Sequence, residues 1–259
     1  MKLFKGYIFD LDGVLYHGNR VVSGAPEVIA NLKKRKCKIR FLTNNAAKTR
    51  GQIAGKLRVL GFPVKRSEVM TTSFGAGKYL LERFGKNKKV FVIGEQGLVK
   101  EIARAGFEIT KSPKADVVVA GIDRGFTYKK LAFAMHAIVE HKAHFIACNS
   151  DKTYPVEDRL LPGAGATLAA LIACTGKQPE FLVGKPNVYL VKLLLKEMKL
   201  KASEVANIGD RLETDIAVGN KMKTFTVLAM TGVTKKEDLK KAKGMMKPKA
   251  IVNSLRELL

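Results

Sequence analysis

Long apolar runs are missing from this sequence. None approaches the ~20 residues that cross a bilayer, so a membrane-spanning helix is excluded and no membrane association is expected. Cysteine is scarce. Cys37, Cys148 and Cys174 are odd in number and far apart, which argues against a disulfide framework or a clustered metal site and suits reduced thiols in a cytoplasmic protein. Acidic residues are few, 23 against 47 basic ones, and the formal charge is +24. That balance suits an anionic partner: a small anion, nucleic acid or an acidic membrane surface. Aromatic residues are not interleaved with the lysines as in a base-stacking platform, so dedicated nucleic-acid binding is not expected. Internal repeats and low-complexity tracts are also lacking, and no N-terminal export signal is expected.

What is present is a core-forming chain of 259 residues, 46% hydrophobic, long enough for a large α/β domain or a core with a smaller companion. Strand-like and helix-like runs alternate throughout, the pattern of a parallel sheet. Strands are expected at 6–9, 38–43, 68–72, 89–93, 116–121, 144–148, 180–183, 205–208 and 224–228. Thr49 and Gln52 fit a capping box opening a helix, and Thr234 and Glu237 fit another. Polar loops with chemical potential crowd the two ends of the chain. The expected organisation is a discontinuous Rossmann-like core of residues 1–76 and 178–259, with an inserted α/β cap at 77–177. Ser73–Gly77 and Gly176–Pro179 would be the crossings.

Four strand ends carry the chemistry. The apolar run Tyr7–Phe9 meets Asp10 and Asp12, then Gly13. Carboxylates at the carboxyl edge of a parallel sheet lie where open α/β folds bind ligands, and burying them calls for a partner such as a divalent cation. An Asp-Gly turn alone would explain the same residues. A calcium loop does not fit, because Val14 and Val21 stand at ligand positions. Thr43-Asn44-Asn45 follows the second strand ahead of a helix, as an anion site or as ordinary helix capping. Gly184-Lys185-Pro186-Asn187 presents an ammonium that could neutralise phosphate, although most lysines are simply solvated. Gly209 to Asp215 offers Asp210 and Asp215, as metal ligands or as N-terminal helix acids.

With Asp10-Leu11-Asp12-Gly13-Val14-Leu15-Tyr16, Thr43-Asn44-Asn45, Gly184-Lys185-Pro186-Asn187 and Gly209-Asp210-Arg211-Leu212-Glu213-Thr214-Asp215-Ile216 in this order, the chain resembles the haloacid dehalogenase superfamily phosphatases. It is closest in pattern to their NagD-like, p-nitrophenyl phosphatase branch with a large α/β cap. Asn149-Ser150-Asp151 and Pro162–Ala166 also look like that family's cap. The high positive charge is a departure from it.

The resemblance implies a Mg²⁺-dependent phosphatase of small phosphorylated metabolites, working through an aspartyl phosphate. Asp10 would be the nucleophile, Asp12 the acid and base, and Lys185 the charge balance. Thr43, Asn44 and Asn45 would bind phosphate; Asp10, Asp12, Asp210 and Asp215 would serve the metal. Asp123, Arg124, Asn149 and Asp151 would select the leaving group from the cap. A homodimer is compatible with it. The alternatives are a non-catalytic phospho-ligand or nucleic-acid binding protein on the same scaffold, or a mutase or dehalogenase of the superfamily.

Overall fold

The computed structural model describes residues 1–155 and 159–259. In chain order its strands are β1 (Gly6–Phe9), β2 (Tyr16–His17), β3 (Arg20–Val21), β4 (Lys38–Thr43), β5 (Val69–Thr71), β6 (Lys89–Ile93), β7 (Glu108–Thr110), β8 (Val117–Ala120), β9 (His144–Ala147), β10 (Thr153–Pro155), β11 (Leu160–Pro162), β12 (Phe181–Leu182), β13 (Val205–Gly209), β14 (Phe225–Ala229) and β15 (Ala250–Val252). The helices are α1 (Ala25–Lys34), α2 (Arg50–Val59), α3 (Thr72–Phe84), α4 (Gln96–Arg104), α5 (Tyr128–Val139), α6 (Ala164–Thr175), α7 (Tyr189–Met198), α8 (Ala217–Lys221) and α9 (Lys236–Lys241). No helix among the described residues is long and apolar enough to cross a membrane.

Two compact units share the chain. The first takes Met1–Thr43, Ile53–Met70 and Lys185–Leu259; the second takes Asn44–Gln52 and Thr71–Gly184. Entry into the second unit thus precedes residue 77, and the return follows residue 177. Ser73–Gly77 is no open crossing. It lies inside α3, where the Ser73 hydroxyl donates to the Lys48 carbonyl at 2.8 Å.

The first unit is a six-stranded sheet in the order β15-β14-β13-β1-β4-β5. All four residues of β1 are buried, which is why its sequence is an unbroken apolar run instead of an alternating one. Phe9 lies level with Ile208 of β13 and Phe41 of β4, all running parallel. Tyr7, Phe9, Ile29, Leu32, Phe41, Leu57 and Leu255 meet in its apolar core.

The second unit has a five-stranded parallel sheet in the order β12-β9-β8-β6-β7. Val118, Ala120, Phe145 and Ala147 pack there against Ala134 and Ile138 of α5 and Leu168 and Leu171 of α6. The strand expected at 180–183 as a return to the first sheet belongs here instead: Phe181 and Leu182 pair with Ile146 and Ala147. A pair of apolar residues carries no mark of which sheet it will join.

The Thr49–Gln52 capping box is reciprocal, with Gln52 N–H on Thr49 Oγ1 at 3.2 Å and Thr49 N–H on Gln52 Oε1 at 2.8 Å. The one expected at Thr234 is displaced by a residue: Lys235 precedes α9 and its N–H donates to Asp238. The Thr234 hydroxyl donates instead to the Asp210 carbonyl.

Candidate active site

Parallel register delivers three of the four loops to one edge of the first sheet. Because Phe9, Ile208 and Phe41 are level, the chain leaves β1 at Asp10, β13 at Asp210 and β4 at Thr43 on the same side. Asp10 N–H donates to Ile208 O at 2.9 Å, which pins the first carboxylate beside the end of β13. Thr43 is buried. Asp12 is half-buried two residues on, bridged through its backbone to Tyr16.

Lys185 completes the group. Its Nζ donates to Asp10 Oδ1 and Asp215 Oδ1, each at 2.5 Å, and its side chain is only 4% exposed. Burial works to lower the pKa of this ammonium, but Asp10 and Asp215 more than offset it and raise it above the ordinary lysine value. Burial pushes the Asp10 carboxyl well above the usual carboxylate range. Lys185 opposes that rise, while Asp215 and Asp210 add to it. Burial and the Asp215 charge push Asp210 up to about 7.

Asp215 sits in a widened helical turn, Leu212–Ile216. Its Oδ2 accepts from Arg211 N–H at 3.1 Å, and its carbonyl accepts from the buried Asn207 carboxamide at 2.9 Å.

One carboxylate oxygen each from Asp10, Asp210 and Asp215 lie within 4.8 Å of one another. Three carboxylates facing one ammonium leave an excess of negative charge in a buried place, a costly arrangement without a cation. Asp210 Oδ1 is buried and has no hydrogen-bond partner among the described residues. Hard oxygen donors with an unfilled buried lone pair fit a divalent cation of the magnesium kind.

Comparisons with known proteins agree in class. Residues 7–108 match the family of haloacid dehalogenase-like hydrolases, and residues 182–258 match a HAD-hydrolase-like family. The 5'-nucleotidase YutF of Bacillus subtilis is 37% identical over 257 residues, covering 99% of this chain and 98% of that protein. The chain belongs to the haloacid dehalogenase-like hydrolases. Among solved structures, the p-nitrophenyl phosphatase from Archaeoglobus fulgidus superposes with a TM-score of 0.91 at 32% identity, over 99% of this chain and 98% of that one. The glycerol phosphate phosphatase Rv1692 from Mycobacterium tuberculosis, solved in complex with magnesium, gives 0.91 at 30% identity, over 99% of this chain and 76% of that one. These relatives are those of the NagD-like branch, and phosphoric monoester hydrolysis is their shared chemistry.

In this hydrolase the remaining candidate residues lie in the second unit. Asn44 donates to both Asp151 oxygens at 3.2 Å, and Asn149 donates to Asn44 O at 2.8 Å. The Asn45 side chain accepts from Ala47 and Lys48 N–H, so its oxygen is engaged in the local turn. Asp123 pairs with Lys130 at 2.7 Å. Arg124 pairs with Glu95 and donates to Tyr154 OH at 2.9 Å. Asn44, Asn149 and Asp151 form one connected cluster; Asp123 and Arg124 follow the neighbouring strand β8, each with its own charge partner.

A further loop of the hydrolase, Met230–Thr234 after β14, escaped the sequence reading. Val233 N–H donates to Asp210 Oδ2 at 2.8 Å, and the Thr234 hydroxyl donates to Asp210 O at 2.5 Å. Thr231 Oγ1 donates to Gly13 O at 2.7 Å. Gly13 has φ +84°, and a Cβ there or on Gly232 would stand 2.4 or 2.1 Å from Asp210 Oδ2. The signal was available: Phe225–Ala229 is again an apolar run ending in a Thr-Gly turn.

Proposed function

We propose that the protein is a magnesium-dependent phosphatase of small phosphorylated metabolites, working through an aspartyl phosphate on Asp10. The observation that carries this is Lys185 bridging Asp10 and Asp215 beside the unpartnered oxygen of Asp210. A buried ion-paired carboxylate next to an incomplete oxygen donor set suits nucleophilic attack on an anionic ester better than it suits passive binding.

Magnesium would be held by the carboxylates of Asp10, Asp210 and Asp215 and by the backbone carbonyl of Asp12. When bound, it would neutralise the repulsion between a carboxylate and a phosphate ester. Asp10 attacks phosphorus, and the bond to the leaving oxygen breaks. Asp12 gives that oxygen a proton, then takes one from the water that attacks the aspartyl phosphate and frees Asp10. Lys185 holds Asp10 in place and balances the charge of the transferring phosphoryl group. The Thr43 hydroxyl and the Asn44 and Asn45 segment bind phosphate oxygens. The second unit serves as the cap, with Asp123, Arg124, Asn149 and Asp151 choosing the leaving group.

The substrate is a phosphate monoester: a sugar phosphate, nucleoside monophosphate, phosphoglycolate or pyridoxal phosphate. Its charge suits the strongly basic chain. The test is release of inorganic phosphate from a panel of these esters and p-nitrophenyl phosphate, with Mg²⁺ and with excess chelator. Turnover of at least one ester, abolished by chelator, is expected; none with Mg²⁺ present would reject the proposal.

A further inference from the structure

We propose that Thr231 and Thr234 are positioning residues for Asp210, acting from a fifth loop outside the four that carry the catalytic groups. The inference rests on the magnesium reading of this site. Asp210 offers three acceptor oxygens. The Val233 N–H takes Oδ2 at 2.8 Å, and Thr234 takes the main-chain oxygen through its hydroxyl at 2.5 Å and its N–H at 3.3 Å. Among the described residues Oδ1 alone is left without a partner, and it is buried. The loop therefore fixes both the backbone and the side-chain torsion of Asp210 and leaves one oxygen for the cation.

Thr231 ties the same loop to the nucleophile turn. Its hydroxyl holds the carbonyl of Gly13, the residue after Asp12, at 2.7 Å. Gly13 and Gly232 supply the room, since a methyl group on either would meet the Asp210 carboxylate. Movement of this one loop would disturb both turns that present oxygen to the metal. Groups that orient metal ligands are worth about 10–100-fold in metal affinity.

Replacing threonine by valine keeps the shape and removes only the hydroxyl. Thr231→Val and Thr234→Val should each weaken Mg²⁺ binding by about 10-fold or more, Thr234→Val the more strongly, because it touches Asp210 directly. The readout is calorimetric titration with MgCl₂ and the Mg²⁺-dependent rise in melting temperature, both without substrate. Thr231→Ser and Thr234→Ser, which keep the hydroxyl, should bind Mg²⁺ as the wild type does. Thr226→Val is the control: Thr226 is fully buried and donates to Asn220 Oδ1 at 3.0 Å in the same unit. It should melt lower with Mg²⁺ affinity unchanged.

If the valine variants melt lower but bind Mg²⁺ normally, the residues are only structural and the inference is overturned. Serine variants as weak as the valine ones overturn it too. Wild-type protein that takes up no Mg²⁺ overturns the magnesium reading along with it, whereas normal uptake by wild type and variants alike overturns this inference alone. Should Thr234→Val fail to fold, Thr231→Val and the serine pair carry the test.

Discussion

Lys185 Nζ stands 2.5 Å from Asp10 Oδ1 and at the same distance from Asp215 Oδ1, so a single buried ammonium joins the ends of strands distant in sequence. Asp10 leaves β1, and Asp215 lies in the turn after β13. The sheet register makes the meeting possible, and the ammonium makes it tolerable in a largely buried place.

Lys185→Met should cut phosphate release by about 10²–10³-fold in kcat, since a preorganised charge aimed at a transferring phosphoryl group is lost. Steady-state rates on p-nitrophenyl phosphate measure it. An unchanged kcat would remove Lys185 from the chemistry.

Burial and the Asp215 charge push the Asp210 carboxyl up to about 7, above its unfolded value. The folded state therefore binds the extra proton, and this site's contribution to stability is lost as pH rises from the ordinary carboxylate range through about 7. Mg²⁺ needs the ionised form, so its affinity should rise across the same window. Melting curves at about pH 5 and about pH 8 should show a larger stabilisation by Mg²⁺ at the higher pH. Equal stabilisation would contradict the assignment.

Asp12→Asn should slow an alkyl phosphate by about 10²–10⁴-fold, the usual worth of a positioned acid. The initial transfer from p-nitrophenyl phosphate should suffer less, because nitrophenolate leaves without a proton. A burst of nitrophenol with slow turnover would show it; identical losses in both first steps would not fit.

Gly97 opens α4 against the carbonyl of Ala47, and a Cβ there would come within 2.2 Å of that oxygen. Gly97→Ala should cost about 1–3 kcal/mol through overpacking. It should also raise KM by shifting the Asn44–Lys48 segment, to which Gly97 N–H is bonded at 3.1 Å. A lower melting temperature with an unaltered KM would separate that segment from phosphate binding.

Much of this candidate site is legible in the sequence, for a physical reason. Asp10, Lys185 and Asp210 each follow an apolar run, and charge at such a place has no packing use; Asp215 stands five residues beyond Asp210 in the same loop. Thr231 and Thr234 carry no charge and act through hydroxyls on backbone oxygens, which in sequence look like any turn. Asn207 was invisible because a polar residue inside a strand declares neither its face nor its partner. The sheet joined by Phe181–Leu182 was lost for the opposite reason, since apolarity alone names no neighbour.

The most direct test of the whole account compares wild type with Asp10→Asn, incubated with p-nitrophenyl phosphate and Mg²⁺, quenched in acid and examined by peptide mass spectrometry. Wild type should release phosphate and carry a phosphoryl group on the peptide containing Asp10, and the variant should do neither. Equal release by both, or a phosphoryl group trapped on another residue, would contradict it.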